Sequence, residues 1–166
     1  GISFAVGYSE ESGIPYTEGI IKNRYVGRTF IQPNQELRDL GVKIKLNPIK
    51  EYIQNKRLVL VDDSIVRGTT MKRTVKMLRD AGAKEIHVRI GCPMVKYSSN
   101  LMMDTPTREE LVAAMHTKDE ITKMIGADSL EYISLEGLFK AFGGDDFTQG
   151  CFTGKFPEGT IYKGEE

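Results

Sequence analysis

The chain has few cysteines, an even balance of charge and no long hydrophobic run, and each of these features excludes a common class of protein. Its two cysteines, Cys92 and Cys151, provide neither a disulfide framework nor the ligand spacing of a zinc site. Because 23 basic residues cancel 23 acidic ones, no broad field attracts nucleic acid or an anionic membrane. No aliphatic run is long enough to span a bilayer. We therefore expect a cytoplasmic protein with no nucleic-acid or membrane partner.

The sequence is long enough, and with 40% hydrophobic residues apolar enough, to bury one good core. Predicted strands alternate with predicted helices, which indicates an α/β fold: a mostly parallel sheet with helices on both faces. We assign residues 1–142 to this domain and residues 143–166 to an irregular, glycine-rich tail. The predicted strands are Tyr16–Ile21, Arg57–Asp62, Glu85–Ile90 and Leu130–Ile133, and the predicted helices are Ile2–Ser12, Asn47–Gln54, Thr69–Ala81, Thr107–Met115, Lys118–Ile125 and Ser134–Phe142.

Two further patterns concern the start of one predicted helix and a long segment between predicted elements. Thr107 is followed three residues later by Glu110, which is the pattern of a capping box at a helix start. Lys22–Leu46 is polar, is broken by glycine and proline, and has no sustained period. A loop of that length in a compact domain is usually functional or mobile.

The most informative segment is Arg57–Thr70, which reads RLVLVDDSIVRGTT. Leu58–Val61 is a continuous aliphatic run, typical of a parallel strand buried on both faces, and the residues after the turn have helical spacing. Between strand and helix, Gly68 permits tight backbone, and Thr69 or Thr70 can cap the helix start. Free backbone N–H groups and the positive end of the helix dipole then meet in the turn, which predicts a site for a phosphate monoester.

Two adjacent carboxylates, Asp62 and Asp63, lie at the end of the predicted strand beside this turn. Carboxylates next to an anion pocket repel each other and the phosphate, so they need Mg²⁺ or hydroxyl donors. A ligand with a phosphate, a vicinal diol and a chelated metal satisfies all of these groups. The alternative is an exposed acidic turn with helix-capping threonines. Two competing phosphate-binding motifs are missing from the sequence: Gly-x-x-x-x-Gly-Lys-Ser/Thr, and Gly-x-Gly-x-x-Gly after a strand.

The strand, the Asp-Asp pair and the Gly-Thr-Thr turn resemble the phosphoribosyl pyrophosphate (PRPP) motif of type I phosphoribosyltransferases. Lys22–Ile31, KNRYVGRTFI, together with Val61–Thr70, is similar to the glutamine PRPP amidotransferase family in particular. The similarity extends from the first residue to about Pro157 through Asp104–Leu111 and Ile125–Asp128. The resemblance implies a type I phosphoribosyltransferase fold, incomplete at its N-terminus. It also implies an enzyme that forms 5-phosphoribosylamine and pyrophosphate from PRPP and glutamine-derived ammonia, in the first step of purine (IMP) synthesis.

This resemblance assigns the PRPP site to consecutive residues at the end of the strand and in the turn. The two aspartates are expected to take the ribose hydroxyls and Mg²⁺, and the turn to take the 5′-phosphate. Arg67 is either a phosphate cation or a solvated turn residue. The predicted PRPP-binding residues are Asp62, Asp63, Ser64, Ile65, Val66, Arg67, Gly68, Thr69 and Thr70.

Lys22–Ile31 resembles the flexible lid of the family. Its cations are expected to neutralise pyrophosphate when the lid closes, although three basic residues on a polar loop can also be simply solvated. The predicted catalytic residues are Asp62, Asp63, Lys22, Arg24 and Arg28. The residues expected along a dry passage for ammonia are Tyr25, Phe30, Ile31 and Asp104, the last of which has an ordinary helix cap as its alternative role.

The resemblance also implies parts that this sequence lacks. Gly1 is not a methionine and a helical pattern begins at once, so we expect a fragment without the N-terminal glutaminase domain and the Pro-Asp-Ser-Gly loop of the family. That domain of the same parent chain is an expected partner, in a homo-oligomeric full-length enzyme. Some family members hold a [4Fe–4S] cluster. Cys151 matches one ligand position, but Ser99 and Thr148 occupy two others, so we predict no iron–sulfur cluster.

Two other functions are compatible with parts of this pattern. A phosphoribosyltransferase for a free base such as hypoxanthine or orotate would need a base-recognition segment. A non-catalytic transcriptional regulator that senses PRPP would need a DNA-binding appendage and a basic surface. His87, within a strand, and His116, at a helix end, are weak candidates for a catalytic base.

Overall fold

Strands and helices alternate along the part of the chain that the structure, a computed structural model, describes: residues 1–22, 46–98, 107–144 and 147–156. Their order is α1 (Ile2–Ser12), β1 (Ile20–Lys22), β2 (Leu46–Pro48), α2 (Lys50–Ile53), β3 (Arg57–Asp62), α3 (Thr69–Asp80), β4 (Glu85–Ile90), α4 (Val112–Met115), α5 (Lys118–Ile125), β5 (Ser129–Tyr132), α6 (Leu135–Phe142) and α7 (Gly150–Thr153). A 3₁₀ turn, Arg108–Glu110, precedes α4. Of the helices described here, none is both long and apolar enough to cross a bilayer.

The central element is a parallel sheet in which β4 lies between β3 and β5. Leu60 of β3 lies opposite Val88 of β4, and Val88 lies opposite Leu130 of β5. Residues that are in register on parallel strands share a face of the sheet. The strands also end at one edge, where Asp62 lies opposite Ile90 and Ile90 opposite Tyr132. Whatever follows the strands is therefore brought together at that edge.

The main hydrophobic core lies on one face of this sheet. Alternate residues of β4 are almost fully buried: Ile86, Val88 and Ile90 are 0%, 0% and 3% exposed. Two helices cover them, and α3 and α5 also contact each other. The residues that these helices place in the core are Met71, Val75, Leu78, Ile121 and Ile125. The amphipathic pattern of both helices predicts this packing.

The first helix, α1, lies on the opposite face. Its Phe4 ring is so close to Gly91 that a Cβ on that glycine would lie 2.5 Å from the ring. Gly91 continues the alternation of β4 beyond Arg89, on the face away from the core, and its N–H donates to the Asp62 carbonyl at 2.9 Å. Helices therefore lie on both faces of a parallel sheet, and the predicted fold class is confirmed.

Polar side chains cover much of that second face. The Nδ1 of His87 lies 2.9 Å from Ser129 Oγ, and its Nε2 lies 3.1 Å from Glu85 Oε2. Arg89 donates to the same serine hydroxyl at 3.1 Å. Both ring nitrogens of His87 thus have partners within the sheet, which is the arrangement of a structural histidine.

The boundaries before β3 differ from the prediction. The strand predicted at Tyr16–Ile21 is β1, Ile20–Lys22, and the segment predicted as the helix Asn47–Gln54 divides into β2 and a four-residue helix. Strands β1 and β2 pair in antiparallel fashion, with Ile20 opposite Pro48. Proline is tolerated there because, among the described residues, each of these strands has a single neighbour and is therefore an edge strand. Local patterns do not indicate this pairing because its partners are far apart in the sequence.

The capping box lies ten residues from its predicted position. Thr107 makes no side-chain capping bond to the 3₁₀ turn that follows it. Thr117 does: its hydroxyl accepts from the Glu120 N–H at 3.3 Å, and the Glu120 carboxylate accepts from the Thr117 N–H at 2.8 Å. Both threonines fit the same sequence pattern, so the pattern alone cannot distinguish them.

Thr117→Ala is therefore expected to lower the free energy of unfolding by about 1 kcal/mol, because α5 loses its N-cap. Thr107→Ala is the matched control and should change it by less than about 0.5 kcal/mol. Urea denaturation of both variants measures the difference. Equal destabilisation would contradict the assignment of the cap to Thr117.

One helical turn, α7, occurs within the segment predicted to be irregular. Its Cys151 is 1% exposed and packs with Val95 and Leu111 in a second small core. The Cys151 carbonyl also accepts from the N–H groups of Lys96 and Tyr97 at 2.9 and 3.1 Å. Part of the segment after residue 142 is thus held against the fold, and the domain boundary itself stays a prediction.

Candidate functional site

The site predicted from the sequence lies where β3 ends and α3 begins. Strand β3 ends at Asp62, and α3 starts at Thr69, so residues 63–68 form the connecting turn. Asp63, Arg67, Thr69 and Thr70 are exposed, whereas Ile65 is 2% exposed and anchors the turn in the core. The sheet thus fixes one end of the turn, and the helix and Ile65 fix the other.

Gly68, rather than a threonine, is the N-cap of α3. It has φ 78° and ψ −15°, in the left-handed region that favours glycine, and no side-chain capping bond occurs there. The prediction that Thr69 or Thr70 caps the helix is therefore wrong, because both lie inside its first turn. The first N–H groups of a helix have no partner within the helix. Since no side chain among the described residues caps them, they are available to an anion at this position.

The turn is supported from one side by the segment that contains the 3₁₀ turn and the start of α4. The Val112 N–H donates to the Val66 carbonyl at 2.9 Å, and the open side of Gly68 faces the Val112 side chain, 3.7 Å from the position of a Cβ. Arg67 forms two contacts with Glu110, Nε to Oε1 at 3.2 Å and Nη2 to Oε2 at 3.3 Å. Nothing in the sequence near either segment indicates these contacts, since 43 residues separate Arg67 from Glu110.

The two aspartates have opposite electrostatic environments. Burial, followed by the hydrogen bond with Asp63, raises the pKa of the half-buried Asp62 from 3.8 to about 6. The same hydrogen bond lowers the pKa of the exposed Asp63. The Asp63 N–H also donates to Asp62 Oδ1 at 3.0 Å. Of the two carboxyls, Asp62 is therefore the one that keeps its proton to higher pH.

The N-terminal end of α1 lies beside the same pair. A Cβ on Gly1, the N-cap of α1, would lie 3.2 Å from Asp62 Oδ1. The start of α1 thus borders Asp62, with the positive end of its dipole there. The same edge of the sheet leads through residues 63–68 to the start of α3, whose dipole is also positive at that end.

A pH dependence of the stability of the unliganded protein follows from Asp62. Its pKa is higher in the folded chain than its usual 3.8, so the folded state binds this proton more tightly than the unfolded state does. This contribution to stability is complete below pH 3.8 and is lost as the pH rises to about 6. Asp63, whose pKa is lowered, stabilises the folded state in its ionised form. That contribution is lost only at lower pH, as Asp63 becomes protonated.

We therefore expect the free energy of unfolding of the wild type to fall relative to that of Asp62→Asn, which cannot ionise, as the pH rises from 3.8 to about 6. Urea denaturation at half-unit pH steps measures both slopes. Identical slopes for the two proteins would contradict the raised pKa.

The donors at this edge suit Mg²⁺ brought in by a ligand. Mg²⁺ is usually held by one or two carboxylates together with substrate phosphates and water. Asp62 and Asp63 supply two carboxylates. Within the described ranges, no group of three or more His, Cys, Asp or Glu side chains gathers in a way that could hold an ion by itself. The residues present therefore fit a metal that is shared with a phosphate-bearing ligand.

The remaining predicted site residues lie elsewhere or outside the described residues. Lys22 is exposed at the end of β1, opposite Leu46, in the smaller sheet. Thr148 is exposed and Cys151 is buried. The residues that lie outside the described ranges are Arg24, Tyr25, Arg28, Phe30, Ile31, Ser99 and Asp104. The structure therefore brings together residues 62–70, while the roles of the lid and the ammonia path stay predictions.

Sequence comparisons place this arrangement among known proteins. The chain is 58% identical over 157 residues to the amidophosphoribosyltransferase of Methanocaldococcus jannaschii, and the alignment covers 95% of this chain and 33% of that protein. It is 54% identical over 162 residues to the amidophosphoribosyltransferase of Bacillus subtilis, covering 94% of this chain and 34% of that protein. The chain thus spans about a third of the length of these relatives.

Solved structures and a family model agree with this result. The structure of glutamine PRPP amidotransferase from Bacillus subtilis complexed with ADP and GMP superposes with a TM-score of 0.81 at 50% identity, covering 98% of this chain and 38% of that one. The model of the phosphoribosyl transferase domain family matches residues 1–109, which include β3, the turn and α3. The chain belongs to the phosphoribosyl transferase domain family.

Proposed function

We propose that this chain is the phosphoribosyl-transferring part of an amidophosphoribosyltransferase. In this reaction, ammonia attacks C1 of the ribose of PRPP, the bond from C1 to pyrophosphate breaks, and a C–N bond forms. The nitrogen loses a proton, which gives 5-phosphoribosylamine and pyrophosphate. The observation that carries the proposal is the end of β3 and the turn that follows it, residues 62–68, with two aspartates and a helix start that has no side-chain cap, in a chain 58% identical to an enzyme of that name.

The turn is proposed to bind the 5′-phosphate through backbone N–H groups. Gly68 permits the left-handed backbone at the end of this turn, and the hydroxyls of Ser64, Thr69 and Thr70 add donors. Ile65 and Val66 contribute backbone only, since the Ile65 side chain is buried and Val66 packs against the second small core. A site of this type binds the dianion without needing a cation inside it.

Asp62 and Asp63 are proposed to accept hydrogen bonds from the ribose hydroxyls and to hold Mg²⁺ together with pyrophosphate oxygens. When bound, the metal neutralises charge on the leaving pyrophosphate. Positive charge develops at C1 and the ring oxygen as pyrophosphate leaves, and the carboxylates stabilise it electrostatically. The raised pKa of Asp62, about 6, means that above this pH both groups are ionised and ready for that role.

The lid is proposed to complete the site. Lys22, Arg24 and Arg28 would neutralise the pyrophosphate, and closure would exclude water from the reacting centre. Tyr25, Phe30, Ile31 and Asp104 would border the path of ammonia. The ammonia would come from glutamine hydrolysed by the glutaminase domain of the longer protein, in a cytoplasmic homo-oligomer that makes the first intermediate of purine synthesis.

The test is PRPP turnover with three acceptors: ammonium chloride, hypoxanthine and orotate. We expect Mg²⁺-dependent pyrophosphate release with ammonia alone. Transfer to hypoxanthine or orotate would replace the proposal by a free-base phosphoribosyltransferase. Tight PRPP binding without transfer to any acceptor, both by this chain and by the longer protein that contains it, would instead favour a PRPP-sensing protein.

A further inference from the structure

The ion pair between Arg67 and Glu110 joins the phosphate turn to a distant part of the chain. Both contacts of the pair are side by side, Nε to Oε1 at 3.2 Å and Nη2 to Oε2 at 3.3 Å. Such a two-point contact fixes the plane and direction of the guanidinium. The side chains are 53% and 48% exposed, so the pair contributes little to global stability. Its effect is therefore mainly on orientation.

The residues on either side of the pair are also held together. Val66 accepts from the Val112 N–H at 2.9 Å, and Gly68 faces the Val112 side chain. Leu111, which lies between Glu110 and Val112 in the chain, is fully buried, and Val66 packs against the second small core, to which Leu111 belongs. Residues 66–68 of the turn thus lie against residues 110–112, and the buried Leu111 gives that support a fixed position.

We propose that Glu110 is a positioning residue for the 5′-phosphate turn, an inference that rests on the proposed function. Glu110 orients Arg67, and through it the backbone of Val66–Gly68, without itself contacting the ligand. In this arrangement the Arg67 guanidinium serves the shape of the turn, and the backbone N–H groups bind the phosphate. Arg67 and Glu110 then act as one unit in binding.

The test compares ribose 5-phosphate with Mg²⁺-pyrophosphate in titration calorimetry. Under the proposed function, ribose 5-phosphate uses the turn as well as the aspartates, whereas Mg²⁺-pyrophosphate uses the aspartates without the turn. Glu110→Gln and Arg67→Gln should each weaken ribose 5-phosphate binding about three- to fivefold and leave pyrophosphate binding unchanged. The double variant should bind ribose 5-phosphate no more weakly than either single variant does, because the two residues act together. Glu109→Gln, with the same charge change one residue away, is the matched control and should bind as the wild type does.

Three outcomes would overturn the inference. Glu110→Gln could bind ribose 5-phosphate as well as the wild type, which would leave the pair without a role. Glu110→Gln could bind ribose 5-phosphate more tightly than the wild type does, or Arg67→Gln could bind it far more weakly than Glu110→Gln does. Either result would make Arg67 a direct phosphate ligand. In all three cases the wild type binds and the proposed function stands. Failure of the folded wild type to bind ribose 5-phosphate would instead overturn the proposed function together with this inference.

Discussion

Replacing both Asp62 and Asp63 by asparagine is expected to abolish Mg²⁺-dependent PRPP binding while the protein remains folded. Each carboxylate is proposed to accept hydrogen bonds from the ligand or to bind the metal, and a hydrogen bond to a charged group contributes about 1.5–3 kcal/mol. Loss of both should therefore weaken binding by more than about 100-fold. Folding should persist because asparagine has nearly the same shape and removes a carboxylate that burial already disfavours in its ionised form. Calorimetric titration with Mg²⁺-PRPP measures the loss.

The control for this variant changes the same number of charges away from the site. Asp80 ends α3, where it pairs with Lys76 at 3.1 Å, and Asp119 lies in the first turn of α5. The double variant Asp80→Asn with Asp119→Asn should bind Mg²⁺-PRPP as the wild type does. Undiminished affinity in the Asp62→Asn, Asp63→Asn protein would contradict the assignment of these carboxylates.

The second large effect is expected at Gly68. Gly68→Ala forces a side chain into the left-handed region, φ 78°, which costs about 1–2 kcal/mol. The turn can relieve that strain only by moving the backbone N–H groups that are proposed to hold the 5′-phosphate. We therefore expect ribose 5-phosphate binding to weaken by about tenfold or more, since 1.4 kcal/mol corresponds to a factor of ten. The measurement is the dissociation constant of ribose 5-phosphate, with urea denaturation alongside it.

Gly143 provides a control with the same backbone strain. It has φ 74° at the end of α6, and within the described part of the chain nothing lies within 4 Å of the position of a Cβ. Gly143→Ala should lose a similar amount of stability and keep wild-type binding of ribose 5-phosphate. If both variants lost binding to the same degree, the effect at Gly68 would be general destabilisation and not distortion of a phosphate site.

The connection between β3 and α3 could be predicted from the sequence because its signals are local. An aliphatic run gives the strand, Arg57–Asp62, and helical spacing after the turn gives the helix, whose observed end at Asp80 lies one residue before the predicted one. The class of fold follows from the alternation of such segments. The predicted N-cap is wrong because the sequence Gly-Thr-Thr is compatible with either a glycine or a threonine at that position. Only the backbone geometry, with Gly68 at φ 78°, decides between them.

The contacts that support the site could not be predicted, since they depend on chain segments that are distant in sequence. The helix predicted at Thr107–Met115 is interrupted at Leu111, which has extended backbone at φ −78° and ψ 105°. This conformation leaves Leu111 fully buried. Burial of a large aliphatic side chain outweighs the continuity of one helix. The same break places Glu110 and Val112 against the turn, and no local pattern indicates it.

Titration calorimetry of PRPP into the protein, with and without Mg²⁺, tests the central claim most directly. We predict saturable binding with Mg²⁺ and binding at least about tenfold weaker without it, because two adjacent carboxylates repel the ligand's phosphates unless a cation lies between them. A folded protein that binds neither Mg²⁺-PRPP nor ribose 5-phosphate would contradict the assignment of residues 62–70 as a PRPP site.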